Sequence, residues 1–345
     1  MDNITTYVTE EFIEERIAVF IWKYSSPVLI ILGTIGNILV IAVLSCGKMR
    51  KSTTNIYFTA MAVCDILVLY TGLMRLWIRF TFNLDIRHVH PVICKIHRPL
   101  VTFSLQTSAW ILVAMTIERY LSVVSPHTIK TRCTRRITLI ILSSIVVVLV
   151  ALNTHFVVGL GDLTLVSDDN ETFVFHCDSI DDDYYLFTTD IWPWIDVAVY
   201  CFVPFVILSI FNMLILHKVF KGKKDLIKST GCTFNSNSTK RISSLITTLF
   251  LINIVYFICT TPISVFMIGN IYWVARPGTH LAAIQSLVFA IVNQFQYLNN
   301  VCNFILYCFS GSNFREGLKS LCSRRRPDRH RTLTGGMGSA KVTPV

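Results

Sequence analysis

Asp65 is the residue in this 345-residue chain whose type and setting most constrain its chemistry, because its carboxyl sits inside an otherwise apolar run at 55–77. An ionised carboxylate at that depth in a bilayer costs a few kcal/mol and calls for partners. Asn37, Ser108, Asn299, Asn300 and Asn303 stand at matching depths in three other apolar runs. A carboxylate among amide and hydroxyl oxygens makes a site for a small hard cation or ordered water. The same set also reads as a static polar cluster that holds helices together. A second constellation is Glu118-Arg119-Tyr120, in which Arg119 follows Cys94 by twenty-five residues. At 1.5 Å per helical residue the two are about 37 Å apart, a little more than a hydrocarbon core of about 30 Å. One helix therefore carries a thiol to one membrane face and an acid–base pair to the other, where the pair reads as an interfacial ion pair able to break and re-form. A third candidate is Asp196, about two turns before Pro204. Its carboxylate could accept a ligand guanidinium or amine, or it could close a salt bridge with Arg75 or Arg98.

The elements that must position these residues are membrane helices. The chain is 53% hydrophobic and 15% charged, with a mean hydropathy of +0.57, too apolar for a water-soluble fold of this length. Apolar runs at 27–46, 55–77, 95–125, 137–158, 191–217, 243–269 and 281–309 each reach the roughly 20 residues that a span needs. The fold expected is all-α, a seven-transmembrane bundle at 27–310. An extracellular N-terminus at 1–26 precedes it, and a short amphipathic membrane-surface helix at 311–322 and a disordered basic tail at 323–345 follow. In the surface helix Phe314, Leu318 and Leu321 share one face and Arg315 and Lys319 the other. Pro91, Pro126, Pro193 and Pro277 mark segment ends, while Pro204 and Pro262 fall inside helices and are candidate hinges.

Orientation follows from the loops. Connections at 47–54, 126–136 and 217–241 hold fourteen Lys and Arg residues, whereas the opposite connections hold only Arg79, Arg87 and Arg276. Basic loops stay in the cytoplasm, so the N-terminus is expected outside and the C-terminus inside, in the plasma membrane. The net charge of +10 then belongs to the inner face and to anionic lipids, not to nucleic acid. Met1 to Glu15 lacks the basic-then-apolar start of a cleavable signal, and the first helix serves as its own insertion signal. Among the eleven cysteines, Cys94 opens the third helix on the outer side and Cys177 is the only one in the 159–190 connection, so an oxidising exterior should join them. Asn3 and Asn170 head outward-facing glycosylation sequons, and Cys322 is a candidate palmitoylation site. No metal centre or catalytic residue is read from these helices.

Gly36-Asn37-Ile38-Leu39-Val40, Ala62-Val63-Cys64-Asp65, Glu118-Arg119-Tyr120 with Pro126, Pro204, Cys259-Thr260-Thr261-Pro262 and Asn303-Phe304-Ile305-Leu306-Tyr307 follow one another along the seven runs, and Phe314-Arg315 comes next. In this order and spacing the chain, over residues 27 to about 322, resembles the rhodopsin-like G-protein-coupled receptors. That resemblance implies a receptor that binds an extracellular ligand and catalyses nucleotide exchange on a heterotrimeric G protein. It implies an activation switch at Asp65, Glu118, Arg119, Asn303, Tyr307 and Pro262, and an allosteric sodium or water site at Asp65, Ser108, Asn299 and Asn303. Arrestin and a receptor kinase are further partners it implies. Phe304 stands where the family has Pro, Thr260 where it has Trp, and Asn212 where it has Tyr. The Asn-Phe pair is similar to that of invertebrate FMRFamide and myosuppressin receptors.

The ligand is narrowed mainly by exclusion. Tyr297 occupies the position of the opsin Schiff-base lysine and Val101 that of the aspartate in amine receptors, which sets both ligand classes aside. Arg75, Trp77, Arg98, Val101, Asp196, Tyr272 and Asn293 remain as the ligand-binding set, and its breadth suits a neuropeptide. The 159–190 connection holds nine acids and no Lys or Arg, which attracts cationic ligands. A small non-peptide or lipid ligand is the alternative. A seven-helix transporter is the more distant one, for which no internal repeat is visible.

Overall fold

In hydrocarbon every backbone N–H and C=O must find its partner within the segment, so the long apolar runs have to be helices. A computed structural model describes residues 12–45, 52–125, 133–167, 172–230, 237–273, 275–310 and 312–323. Among these residues, seven helices are long and apolar enough to cross a membrane. They are α1 (Ile13–Leu44), α2 (Thr53–Phe82), α3 (Pro91–Val124), α4 (Arg135–Gly159), α5 (182–230), α6 (Asn237–Tyr272) and α7 (His280–Ser310). A short α8 (Ser312–Ser323) follows, and β1 (Leu160–Ser167) and β2 (Thr172–Ser179) form an antiparallel hairpin between α4 and α5. The end of the bundle that carries this pair of strands is called the hairpin end below.

Local chemistry explains the helix starts. Pro91 stands in the first turn of α3, where no N–H is needed, and the His90 ring accepts from Val92 N at 3.1 Å. Thr134 caps α4, and Asp181 caps α5 by accepting from Tyr184 N at 2.7 Å. Asn83, in the left-handed region at φ 55°, ends α2.

Four departures from the sequence expectation have physical causes. α1 starts at Ile13 instead of 27, because Ala18, Trp22 and Ser26 are buried and the Trp22 ring stacks on Phe80 at 5.4 Å. Its 32 residues measure about 48 Å, so the first turns stand beyond the hydrocarbon. Pro27 and Pro99 also lie inside helices. Pro193 does not end a segment: it follows a π-turn at Phe187–Ile191, where the hydrogen-bond register has already slipped, and α5 runs through it. The 159–190 connection is the hairpin plus the first turns of α5. Gly161 adopts φ +111° at a register shift in β1, a conformation that favours glycine.

The bundle packs most closely where side chains are absent. A Cβ on Gly33 would come within 2.5 Å of Leu69 and one on Gly36 within 3.0 Å of the Phe304 Cβ, so α1 lies directly against α2 and α7. α8 buries Phe314 against Phe304 and Tyr307 and leaves Arg315 and Lys319 exposed. The outer surface is apolar: Val147 is 66% exposed, Met213 72% and Val265 63%. In water such a surface would aggregate; it is the face that lipid covers.

Candidate functional site

The apolar walls of α2, α3 and α7 bring four polar residues together at Asp65, which is fully buried. Ser108 Oγ donates to its Oδ1 at 3.2 Å, Asn300 Nδ2 to the same oxygen at 2.8 Å, and Asn303 Nδ2 to Oδ2 at 2.6 Å. Asn37 joins from α1, donating to the Asn300 carbonyl at 2.9 Å. The amide that meets the carboxylate is that of Asn300, and Asn299, although buried, is not among its donors. Around the carboxylate, the side-chain oxygens of Asn37, Asn300 and Asn303 are buried and have no partner among the described residues. One carboxylate plus three unpartnered amide oxygens is the donor set of a small hard cation with its waters.

At the opposite end from the hairpin, Glu118 and Arg119 do not pair with each other. Successive residues on a helix point about 100° apart and cannot face one another. Both reach α2 instead. Thr53 Oγ1 donates to Glu118 at 2.5 Å, and Arg119 donates to the Thr54 hydroxyl. The expected ion pair is thus a double tether of α3 to the start of α2. Tyr307 is buried there against Phe58, its ring centroid 4.6 Å away. Pro262 lies inside α6 and cannot bond the carbonyl one turn before it. Thr260, two residues earlier, is buried and donates to the Tyr256 carbonyl at 2.7 Å.

Tyr256 makes the link that motif reading missed. Its hydroxyl donates to the carbonyl of Tyr200, which a π-turn at Ala198–Phe202 leaves open. The Tyr200 hydroxyl in turn accepts from Gln296 Nε2 at 3.3 Å. One residue of α5 therefore ties α6 and α7.

At the hairpin end the expected ligand residues divide. Arg75 is committed to Asp85 through two nitrogens, with Nε at 2.9 Å, so it neither pairs with Asp196 nor stands free for a ligand. Burial alone would raise the Asp85 carboxyl, but the hydrogen bond and charge of Arg75, with Arg87 beside it, hold it well below the usual carboxylate range. Burial pushes Arg87 down to about 10, and the charges of Arg75 and Arg98 act in the same sense. Asp196 accepts from Gln106 Nε2 at 2.8 Å, and Gln106 Oε1 accepts from Asn153 at 2.8 Å, a relay from α5 through α3 to α4. Its carboxylate is consequently not in salt-bridge contact with Arg75 or Arg98. Trp77 meets Phe82 edge-on at 5.7 Å. Asn293 is buried and donates to the Phe289 carbonyl of its own helix at 2.8 Å, while Tyr272 is 70% exposed at the end of α6. Val101 is half-buried on α3, three residues after Arg98. Arg98 lies over the Phe156 ring at 5.5 Å.

Cys94 and Cys177 are disulfide-bonded, with Cα atoms 5.6 Å apart, and pin β2 to the start of α3. Asn3, Asn170 and the side chain of Cys322 lie outside the described residues. Asp85 was legible in principle, as the one acid amid Arg75, Arg79 and Arg87. The Gln106–Asn153 relay carried no such signal.

The family described as 7 transmembrane receptor (rhodopsin family) matches residues 36–307. Neuromedin-U receptor 2 of Mus musculus is 26% identical over 307 residues, covering 85% of this chain and 73% of the relative. The sex peptide receptor of Drosophila melanogaster is 25% identical over 336 residues, covering 87% and 72%. G-protein coupled estrogen receptor 1 of Danio rerio is 23% identical over 305 residues, covering 85% and 77%. With the seven spans and the polar bridge at Asp65, the family match over most of its length leads to one conclusion: the chain belongs to the rhodopsin family of seven-transmembrane receptors, whose members are receptors and not enzymes.

Proposed function

We propose that the chain is a plasma-membrane receptor whose hairpin end faces outward and binds a peptide, and whose other end activates a heterotrimeric G protein. The observation that carries this reading is the continuous set of polar ties between helices: Asp65 joins α2, α3 and α7, Tyr200 joins α5, α6 and α7, and Arg119 holds α2. A ligand that shifts α5 or α6 at the hairpin end must break or re-form the Tyr256–Tyr200 bond. Swing of α6 about Pro262 then opens the inner end, where Arg119 exchanges Thr54 for the C-terminal helix of the G protein. A sodium ion held by Asp65, Ser108 and the Asn303 amide oxygen would supply charge compensation that favours the closed arrangement. Lipid headgroups would meet the basic inner loops, and arrestin and a receptor kinase would meet the tail at 323–345.

A peptide ligand is supported by the mouth of the bundle, where Asp178, Asp181, Asp182, Asp183 and Asp190 are exposed, and by the names of the neuromedin-U and sex peptide receptors. These names give no support to the narrower FMRFamide or myosuppressin grouping. The estrogen-receptor relative favours a second reading, a small apolar ligand, against which the acidic mouth argues.

The test is a peptide library applied to cells that report calcium and cAMP, beside a steroid and lipid panel. A peptide response that is lost in Arg119→Ala at equal surface level supports the proposal. A response to the lipid panel alone, or a peptide response that Arg119→Ala leaves intact, refutes it.

A further inference from the structure

Under the hairpin, between α3, the end of α4 and the start of α5, lies a cavity of about 400 Å³, within the size range of small ligand sites. Arg87 and Arg98 form its basic side, Phe156 and Leu160 its apolar wall, and Asp178 and Asp182 its rim. The charges inside do not balance. The Arg98 guanidinium makes no hydrogen bond or ion pair among the described residues and rests on the Phe156 ring. Arg87 has Asp85 as its anion, at 3.4 Å, but the same carboxylate already holds Arg75 bidentately and stands 4.0 Å from Arg79 and from His88. Several cations therefore converge on one acid, while Arg98 has no carboxylate within salt-bridge distance and Asp196, committed to Gln106, attracts it only from farther away.

The acids nearby are kept from filling that role. Asp178 follows the disulfide-bonded Cys177, and Asp181 is spent on capping α5. Both, with Asp182, stay exposed at the rim. A half-buried guanidinium fork beside open space, with no acceptor of its own, suits a carboxylate, which can take two of its donors at once.

We propose that this cavity binds a carboxylate carried by the extracellular peptide, held by Arg98 and Arg87, while a basic part of the same peptide lies against Asp178 and Asp182. The inference rests on the peptide-receptor reading and adds the charge pattern of the ligand: an acid that goes under the hairpin, next to a base that stays at the rim.

The experiment uses the purified full chain in nanodiscs and two probes, N-acetyl-aspartate N-methylamide and its neutral asparagine counterpart, at fixed ionic strength. The acidic probe should raise the unfolding midpoint saturably and the neutral one should not. Arg98→Gln should raise the half-saturating concentration about tenfold or more, the scale of one charged hydrogen bond, and Arg276→Gln, at an exposed site, should leave it unchanged. If Arg98→Gln does not yield folded protein, Arg87→Gln carries the same comparison. Equal shifts with both probes, or a response to the acid that both arginine variants keep, overturn the proposal. No G protein enters this assay, so its failure with signalling intact removes the anion site alone. A failed signalling screen leaves the anion result standing.

Discussion

Replacing Asp65 in two ways separates its charge from its hydrogen bonds. Asp65→Ala leaves the donors of Ser108, Asn300 and Asn303 without an acceptor in a fully buried setting. At about 1 kcal/mol for each orphaned donor, a low value because membrane hydrogen bonds are individually weak, the loss is about 3 kcal/mol. Asp65→Asn keeps one oxygen for Ser108 and Asn300 and turns an amide toward the Asn303 amide. That donor–donor clash has a ready escape, because the Asn303 oxygen has no partner and a flip of its side chain lets it accept. Removing a buried charge also ends its desolvation cost, so the net change should stay within about 1 kcal/mol. Asn303→Asp alone puts two carboxylates in hydrogen-bond contact and should be the most damaging single change, and adding Asp65→Asn should restore stability because the charge has only moved across a 2.6 Å contact. Thermal unfolding of the purified receptor in nanodiscs measures the order. The reasoning fails if Asp65→Asn is as harmful as Asp65→Ala, or if the reciprocal pair is merely additive.

The disulfide closes a loop of 83 residues, worth about 4 kcal/mol by loop closure; Cys94→Ser and Cys177→Ser should each cost that much in unfolding assays and the double change no more, and additive losses would count against a shared bond. Tyr256→Phe should cost about 1 kcal/mol by orphaning the Tyr200 carbonyl and should raise signalling without ligand, read as basal calcium or cAMP; unchanged basal output would remove Tyr256 from the switch. A carboxyl held below its ordinary value, as Asp85 is, contributes stability that is complete above the unfolded value near 4 and is lost as pH falls through the lower folded value. The stability gap between wild type and Asp85→Asn should therefore be constant from pH 7 to pH 5 and narrow only in stronger acid. A gap already closed at pH 5.5 would contradict the Arg75–Asp85 geometry.

What could be read from the chain followed its periodicities and its costs. Seven apolar runs and the carboxyl of Asp65 within one of them were visible because a bilayer penalises every alternative. The Cys94–Cys177 pair was visible because Cys94 opens a helix and Cys177 is the only cysteine in the 159–190 connection. The first fourteen residues of α1 were not, since Glu14, Glu15, Arg16 and Lys23 lower its hydropathy although Trp22 is fully buried. The hairpin was hidden for a similar reason: five acids break up the apolar alternation of 160–179, and neither the disulfide to α3 nor the glycine bend shows in the pattern. Side-chain direction was the other blind spot. Adjacency in sequence suggested that Glu118 meets Arg119, and helix geometry sends them to Thr53 and Thr54. Depth alone could not choose between Asn299 and Asn300, because neighbouring residues share a level and differ in azimuth.

The glycine contacts of α1 divide the molecule mechanically. With no side chain at Gly33 or Gly36 to act as a spacer, and with the Asn37 amide hooked onto the α7 backbone, α1, α2 and α7 form one frame with no slack between them. The frame has irregular backbone too, a π-turn at Leu69–Leu73 in α2 and Pro27 in α1, but glycine contacts clamp it. α5 has two π-turns and α6 an interior proline, while Gly222 and Gly269 make no close contact to a neighbouring helix. The receptor is therefore part stator and part rotor. Distance reporters attached to α1 and α7 should hold their separation through signalling, and those on α6 should record its stroke.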